Sequence, residues 1–226
     1  TLLNLIFPPA CLGCGGKPEK RDQILCETCA QSLVPQRTLF CGRCRARLPG
    51  GVKICHKDFP YILGAAGNYD NEAIKGLIRA LKFRSIVKAA EPLAHLMAEY
   101  ARAIPLSVSE FTLLPVPLPP ARMRKRGFNQ SEVIGEMFAS RFGAKLAAGN
   151  LVRIKGGKPQ SEIKNAKDRA ANVAGCFFVK RPEEICGKNI ILVDDVTTSG
   201  ATLLEATAAL KAAGAKKIVA LVAAKA

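Results

Sequence analysis

The sequence has no tryptophan, three tyrosines and ten phenylalanines, so aromatics fill only 6% of its 226 positions. So thin a supply argues against a nucleic-acid surface built chiefly on bases stacked over rings, although Phe40, Phe59, Tyr61 and Phe128 are available for it. Acidic residues are also scarce: 18 Asp and Glu face 34 Lys and Arg, for a formal net charge of +16. That imbalance disfavours basic partners and favours phosphorylated or polyanionic ones through long-range attraction. No run of about 18 consecutive apolar residues occurs, so neither a transmembrane helix nor membrane insertion is expected. The opening TLLNLIFPPA is too short for a secretory signal and lacks a basic leader. What is present is the composition of a globular protein, 49% hydrophobic and 23% charged.

Cysteine is distributed unevenly. Seven of the nine lie between residues 11 and 55: Cys11, Cys14, Cys26, Cys29, Cys41, Cys44 and Cys55. Eleven residues separate each of the three C-x-x-C pairs from the next, and ten lie between Cys44 and Cys55. A C-x-x-C turn sets two thiolates on one tight knuckle, and two knuckles complete a tetrahedral shell of four sulfurs for Zn²⁺. CLGC with CETC supplies one such shell, a better reading than a disulfide framework. The second set, CGRC with Cys55, has only three thiols. Asp58 keeps the x-x spacing and is favoured as the fourth ligand; His56, adjacent to Cys55, is the alternative. Crossed pairing of the first and third knuckles is also open. The segment has few large apolar residues, so one or two structural Zn²⁺ ions are expected to stand in for a core, at roughly 10–16 kcal/mol in small modules. Zinc thiolates suit a reducing compartment, hence the cytoplasm. Cys176 and Cys186 read as small buried hydrophobes.

Past residue 59 the pattern changes, which divides the chain into a cysteine-rich module, 1–59, and a larger domain, 60–226. YILGAAGNYD reads as a strand and NEAIKGLIRALKF as a helix with Ile74, Leu77, Ile78 and Leu81 on one stripe. A second helix is expected over 87–103. FTLLPV, GCFFV and NIILV are short apolar runs of strand length, suited to a sheet buried on both faces. GATLLEATAALKAAG is a helix stopped by Gly214, and KKIVALVAA a closing strand. This alternation predicts an α/β fold, a mostly parallel sheet flanked by helices.

In such sheets ligands bind beyond the carboxyl ends of the strands. There stands NIILVDDVTTSGATLLEA, residues 189–206, with Asp194 and Asp195 directly after the apolar run. The small residues Thr197, Thr198, Ser199, Gly200, Ala201 and Thr202 let the backbone curl so that N–H groups and hydroxyls converge on a phosphate. Two acids beside a phosphate cradle need a neutral, donor-rich neighbour, and the adjacent hydroxyls of a ribose meet that need. The pattern resembles the signature for 5-phosphoribosyl 1-diphosphate (PRPP) in type I phosphoribosyltransferases. The resemblance implies ribose hydroxyls on the acids, the 5′-phosphate in the loop, and Mg²⁺ arriving with PRPP.

Upstream, PVPLPPARMRKRGFNQSE sets Arg122, Arg124, Lys125 and Arg126 in a basic loop after a strand, where cations would neutralise a diphosphate. Gly127 lets the chain turn before the next helix. Together with the leading knuckles and the DDVTTSGAT stretch, this segment resembles the ComF family of competence proteins over nearly the whole chain. KPQSEIKNAKDRAANVAGCFFV also looks like that family's polar stretch, with Pro159, Gln160, Arg169 and Asn172 in place; the resemblance implies a mobile flap over PRPP. Asp58, where the family pattern has Cys, is the departure.

The resemblance implies a part in natural transformation or DNA uptake, with single-stranded DNA and uptake-machinery proteins as partners beside PRPP. Three functions fit: a DNA-uptake protein with a PRPP site, an active phosphoribosyltransferase on an undefined acceptor, and a PRPP-sensing regulator. No residue stands out as the base for an acceptor nucleophile.

Overall fold

The computed structural model describes residues 10–49, 55–154 and 175–226. Within the cysteine-rich segment the regular elements are α1 (Glu27–Gln31), β1 (Leu39–Cys41) and β2 (Arg47–Leu48). Then come β3 (Ile62–Asn68), α2 (Glu72–Arg84), α3 (Ala90–Ala103), β4 (Thr112–Pro115), α4 (Pro120–Arg126) and α5 (Gln130–Ser140). The last part holds β5 (Leu151–Arg153), β6 (Phe177–Val179), β7 (Asn189–Thr197), α6 (Ala201–Ala212) and β8 (Lys217–Lys225).

Strands β3, β8, β7 and β4 pair in that order, all parallel. The two central strands are apolar almost throughout because helices cover both of their faces. Ile191, Val193, Val219 and Leu221 pack with α2, α3 and α5, whereas Ile190, Leu192, Ala220 and Val222 pack with α6. Each large aliphatic side chain buried this way contributes on the order of 2 kcal/mol.

The local signals account for the helices. On α2, the Asn71 side chain accepts the Ile74 N–H at 3.1 Å, and Ile74, Leu77, Ile78 and Leu81 form the buried stripe. Lys82 and Arg84 occupy its last turn, where cations suit the negative end of the helix dipole. The stretch expected as a helix over 87–103 begins as a 3-10 turn, Val87–Ala89, before α3 proper. Gly214, at φ +85°, follows α6 as expected.

Two expectations need correction. The basic segment is not a loop but the short helix α4, started by Pro120 and stopped by Gly127 at φ +83°. Proline at the first helical position loses no hydrogen bond and is preset for the turn. The run containing β6 does not enter the buried sheet: β6 pairs antiparallel with β5 in a separate two-stranded sheet, and Phe178 is 54% exposed.

The cysteine-rich segment does have a core, and it is the core of the larger domain. Cys11, Leu25, Leu39 and Leu48 belong to the same buried cluster as Ile74 and Leu93. β1 pairs antiparallel with β3, and β2 with β1, so the segment supplies the outer two strands of a six-stranded sheet. At Gly76 the backbones nearly touch: a Cβ there would lie 1.8 Å from the Leu12 carbonyl oxygen, a distance no side chain can occupy.

Candidate functional site

The first cysteine set assembles as its spacing suggests. Cys11, Cys14, Cys26 and Cys29 bring their sulfurs within 4.8 Å of one another, which removes the crossed arrangement. Cys14 Sγ lies 3.7 Å from Cys26 Sγ. That is close to the edge of a tetrahedron with Zn–S bonds of about 2.3 Å, which comes to ~3.8 Å. Burial works against a Cys11 thiolate, but N–H donors, the Cys26 amide among them, outweigh it and bring the thiol down to about 6. Burial and the neighbouring sulfurs push Cys29 up to about 12. Only a cation at the centre lets all four ionise together, so the donor set fits structural zinc.

The second set is Cys41, Cys44, Cys55 and His56, again within 4.8 Å. Cys44 Sγ stands 3.4 Å from Cys55 Sγ, and Cys41 Sγ 3.4 Å from His56 Nδ1. The expectation that Asp58 completes this shell is therefore corrected to His56. The Phe59 N–H donates to the His56 carbonyl at 3.1 Å, closing a turn that leaves Asp58 exposed. A shell of three thiolates and one imidazole fits zinc as well as four thiolates do. All nine cysteines are free thiols; Cys176 is buried as expected, whereas Cys186 is exposed.

The two acids lie at the end of β7, deep in the protein. Asp194 is 9% exposed and Asp195 2%. Asp194 Oδ1 accepts the Ser131 hydroxyl at 2.8 Å and the Asp195 N–H at 2.9 Å. Asp195 Oδ1 accepts the Val196 N–H at 2.7 Å. Asp195 Oδ2 is 2.9 Å from Lys82 Nζ, an ion pair by distance although the ammonium is not aligned as a hydrogen-bond donor to it. Burial first, then the charge of Asp195, push the Asp194 carboxyl up to about 7, against the pull of Lys82 and Ser131.

Cations surround the pair. Arg122 and Arg126 are half-buried, whereas Arg124 and Lys125 on the same helix are exposed. Arg126 bonds to Gln130 Oε1; burial lowers its pKa, and Asp195 opposes that. Arg153 lies with its guanidinium 5.4 Å from the centre of the Phe177 ring. Burial lowers its pKa too, and the opposing charges include Cys176 and Asp194. Lys82 and Ser131, which contact the acids, and Arg153, which feels the charge of Asp194, carried no signal in the sequence, because each stands on an element distant in the chain.

Beyond the acids, Thr197 is buried at the end of β7, Thr198 and Ser199 are exposed, and Gly200, at φ +80°, caps α6. Ala201 is buried and Thr202 half-buried in the first turn of that helix. Among the described residues no acceptor takes the N–H groups of Thr198, Ser199 or Gly200. An anion at this loop would therefore meet open donors and the positive end of a twelve-residue helix. Pro159, Gln160, Arg169 and Asn172 lie outside the described residues. Phe40 and Tyr61 are buried in the core beside α6 and offer no stacking surface. None of the described helices is long and apolar enough to cross a membrane.

Comparison with known proteins gives two family matches. Residues 2–57 match the double zinc ribbon domain, and residues 113–226, half of the chain, match the phosphoribosyl transferase domain. The chain is 27% identical over 205 residues to DNA utilization protein YhgH of Salmonella typhi, covering 86% of this chain and 87% of that protein. It is 26% identical over 221 residues to competence protein F of Haemophilus influenzae, covering 92% and 93%. With competence protein ComFC of Streptococcus pneumoniae it shares 27% identity over 219 residues, 96% of this chain and 89% of that one. The chain therefore belongs to the phosphoribosyl transferase domain family, behind a double zinc ribbon, the build expected of the ComF family.

Proposed function

We propose that the chain binds PRPP at the end of β7 and acts in DNA utilisation or natural transformation, as the names of its relatives suggest. The observation that carries the PRPP reading is the loop Thr198–Gly200, whose three N–H groups take no acceptor among the described residues and whose helix follows directly. The 5′-phosphate belongs there. Lys82 and the half-buried Arg122 and Arg126 offset the two acids, so a phosphorylated pentose can approach without facing two bare negative charges. Ribose hydroxyls would take the acceptor positions of Asp194 and Asp195 that the backbone leaves over, with Lys82 yielding part of its hold on Asp195 Oδ2.

The diphosphate falls to Arg122 and Arg126. In an enzyme, stabilising that leaving group would be the main electrostatic task of these residues. Mg²⁺ would arrive with PRPP and offset part of the diphosphate charge. Titration calorimetry with PRPP and MgCl₂ tests the site. Asp194→Asn with Asp195→Asn should weaken binding by at least tenfold, and undiminished affinity would remove the ribose assignment.

The +16 charge and the relatives' names favour single-stranded DNA as a second ligand, bound largely through phosphates. Exposed Arg43, Arg47, Arg124 and Lys125 are available for it. Single-strand affinity should fall steeply between 50 mM and 200 mM salt, and a flat response would exclude phosphate contacts.

A further inference from the structure

The second cysteine knuckle is not remote from the loop at Gly200. A Cβ placed on Gly200 would lie 2.9 Å from the Tyr61 hydroxyl and 3.6 Å from Arg45 Nη2. Arg45 follows Cys44 directly, and its backbone is held in an unusual state. Its φ is +60°, one of two positive values among described non-glycine residues. Its N–H donates to the Cys41 carbonyl at 2.9 Å, which closes the knuckle turn. A left-handed arginine costs about 1 kcal/mol or more and persists only where its surroundings impose it. Glycine would be free of that cost, so the backbone alone does not explain why an arginine stands there.

The side chain explains it. One guanidinium nitrogen, Nη1, donates to the Ala226 carbonyl at 3.2 Å. Ala226 in turn donates its N–H to the Thr197 carbonyl at 2.9 Å, which ties this anchor to the base of the loop. Nη2 is the nitrogen turned toward Gly200. No Asp or Glu side chain pairs with Arg45 among the described residues. A half-buried cation is thus fixed by the Ala226 backbone oxygen on one side and turns Nη2 toward Gly200, the last residue of the loop before its helix.

We propose that Arg45 is a phosphate-binding residue: it donates to the phosphate held in the Thr198–Thr202 loop, so that the second knuckle and the loop form one anion site. This rests on the reading of that loop as the 5′-phosphate cradle. A guanidinium reaches a tetrahedral anion through a fixed fork of donors, which a lysine ammonium does not reproduce.

The test uses the full chain and three probes: PRPP with MgCl₂, ribose 5-phosphate, and inorganic diphosphate. Arg45→Gly relieves the left-handed backbone and should preserve folding and zinc content; Arg45→Lys keeps the charge without the fork. Arg45→Gly is expected to weaken PRPP and ribose 5-phosphate alike by about 10- to 100-fold, with Arg45→Lys between it and the parent. Diphosphate binding should change less than twofold. If the parent binds PRPP and Arg45→Gly binds it as well, the assignment of Arg45 is overturned while the PRPP site stands. Loss of PRPP and diphosphate binding with ribose 5-phosphate spared would also overturn it, by moving Arg45 to the other end of the ligand. If the parent binds none of the three probes, the reading of the loop itself fails.

Discussion

The two cysteine clusters have the same local geometry and opposite surroundings. The first is set against α2, where Gly13 would carry a Cβ 3.1 Å from the Ala73 Cα and Gly76 admits none at all. The second has Cys44 and Cys55 exposed, and Arg45, within its turn, reaches Gly200. One cluster therefore fixes the cysteine-rich segment to the helical layer, and the other holds a charged side chain beside the candidate ligand loop. A donor set of four soft ligands reveals that a metal can be held. What the metal is for depends on what the knuckle leans against.

Replacing one ligand in each cluster is the strongest way to break this contrast. Cys11→Ser should cost at least about 5 kcal/mol in denaturant unfolding, because a buried metal site and part of the shared core fail together. An effect below that of Cys55→Ser would invert the assignment. Next in size is a pH effect at the ligand end. The folded Asp194 carboxyl titrates at about 7 and the unfolded one near its ordinary value of 3.8. The folded state thus holds the proton more tightly, so stability is highest below the unfolded value and falls as pH rises toward the folded one. The loss is on the order of 4 kcal/mol. Unfolding free energies measured from pH 4 to 8 should show this slope in the parent chain and lack it in Asp194→Asn.

Gly76→Ala sharpens the docking half of the comparison. Its methyl group has no space against the Leu12 carbonyl, and a cost of about 3 kcal/mol with unchanged zinc content is expected. Cys55→Ser should cost less, about 2 kcal/mol, yet weaken PRPP binding severalfold as the Arg45 turn loosens. Smallest of all is Asp58→Ala. It should leave metal content unchanged and stability within about 0.5 kcal/mol, and loss of a zinc ion in this variant would restore Asp58 as a ligand.

The sequence was most legible where one short stretch carries its own instructions. The C-x-x-C spacing identified the first shell, and the unbroken apolar runs of β7 and β8 announced a sheet covered on both faces. The Asn71 cap and the Ile74–Leu81 stripe located α2. Failures came where geometry overrode spacing. Asp58 has the regular interval, but the turn between His56 and Phe59 carries it outward and turns an imidazole in. Four cations within PARMRKR read as a loop, although Pro120 and Gly127 bound a helix that divides them into two half-buried and two exposed. Lys82, Ser131 and Arg153 were invisible because their partners are long-range, and charge or hydroxyl content in a sequence says nothing of what it will face.

The sheet has one further property that follows from its outermost strands. β2 is only two residues long, with Arg47 exposed on it, and with β1 it covers the flank of β3. The opposite flank, β4, is shielded at Leu113 by the chain at Lys145 to Ala147. Short, charged margins of this kind deny a neighbouring molecule the ladder it would need to add a strand. Detaching the cysteine-rich segment would bare the first half of β3, Ile62 to Gly64, so the truncated chain should precipitate before it unfolds, and the knuckles guard solubility as well as shape.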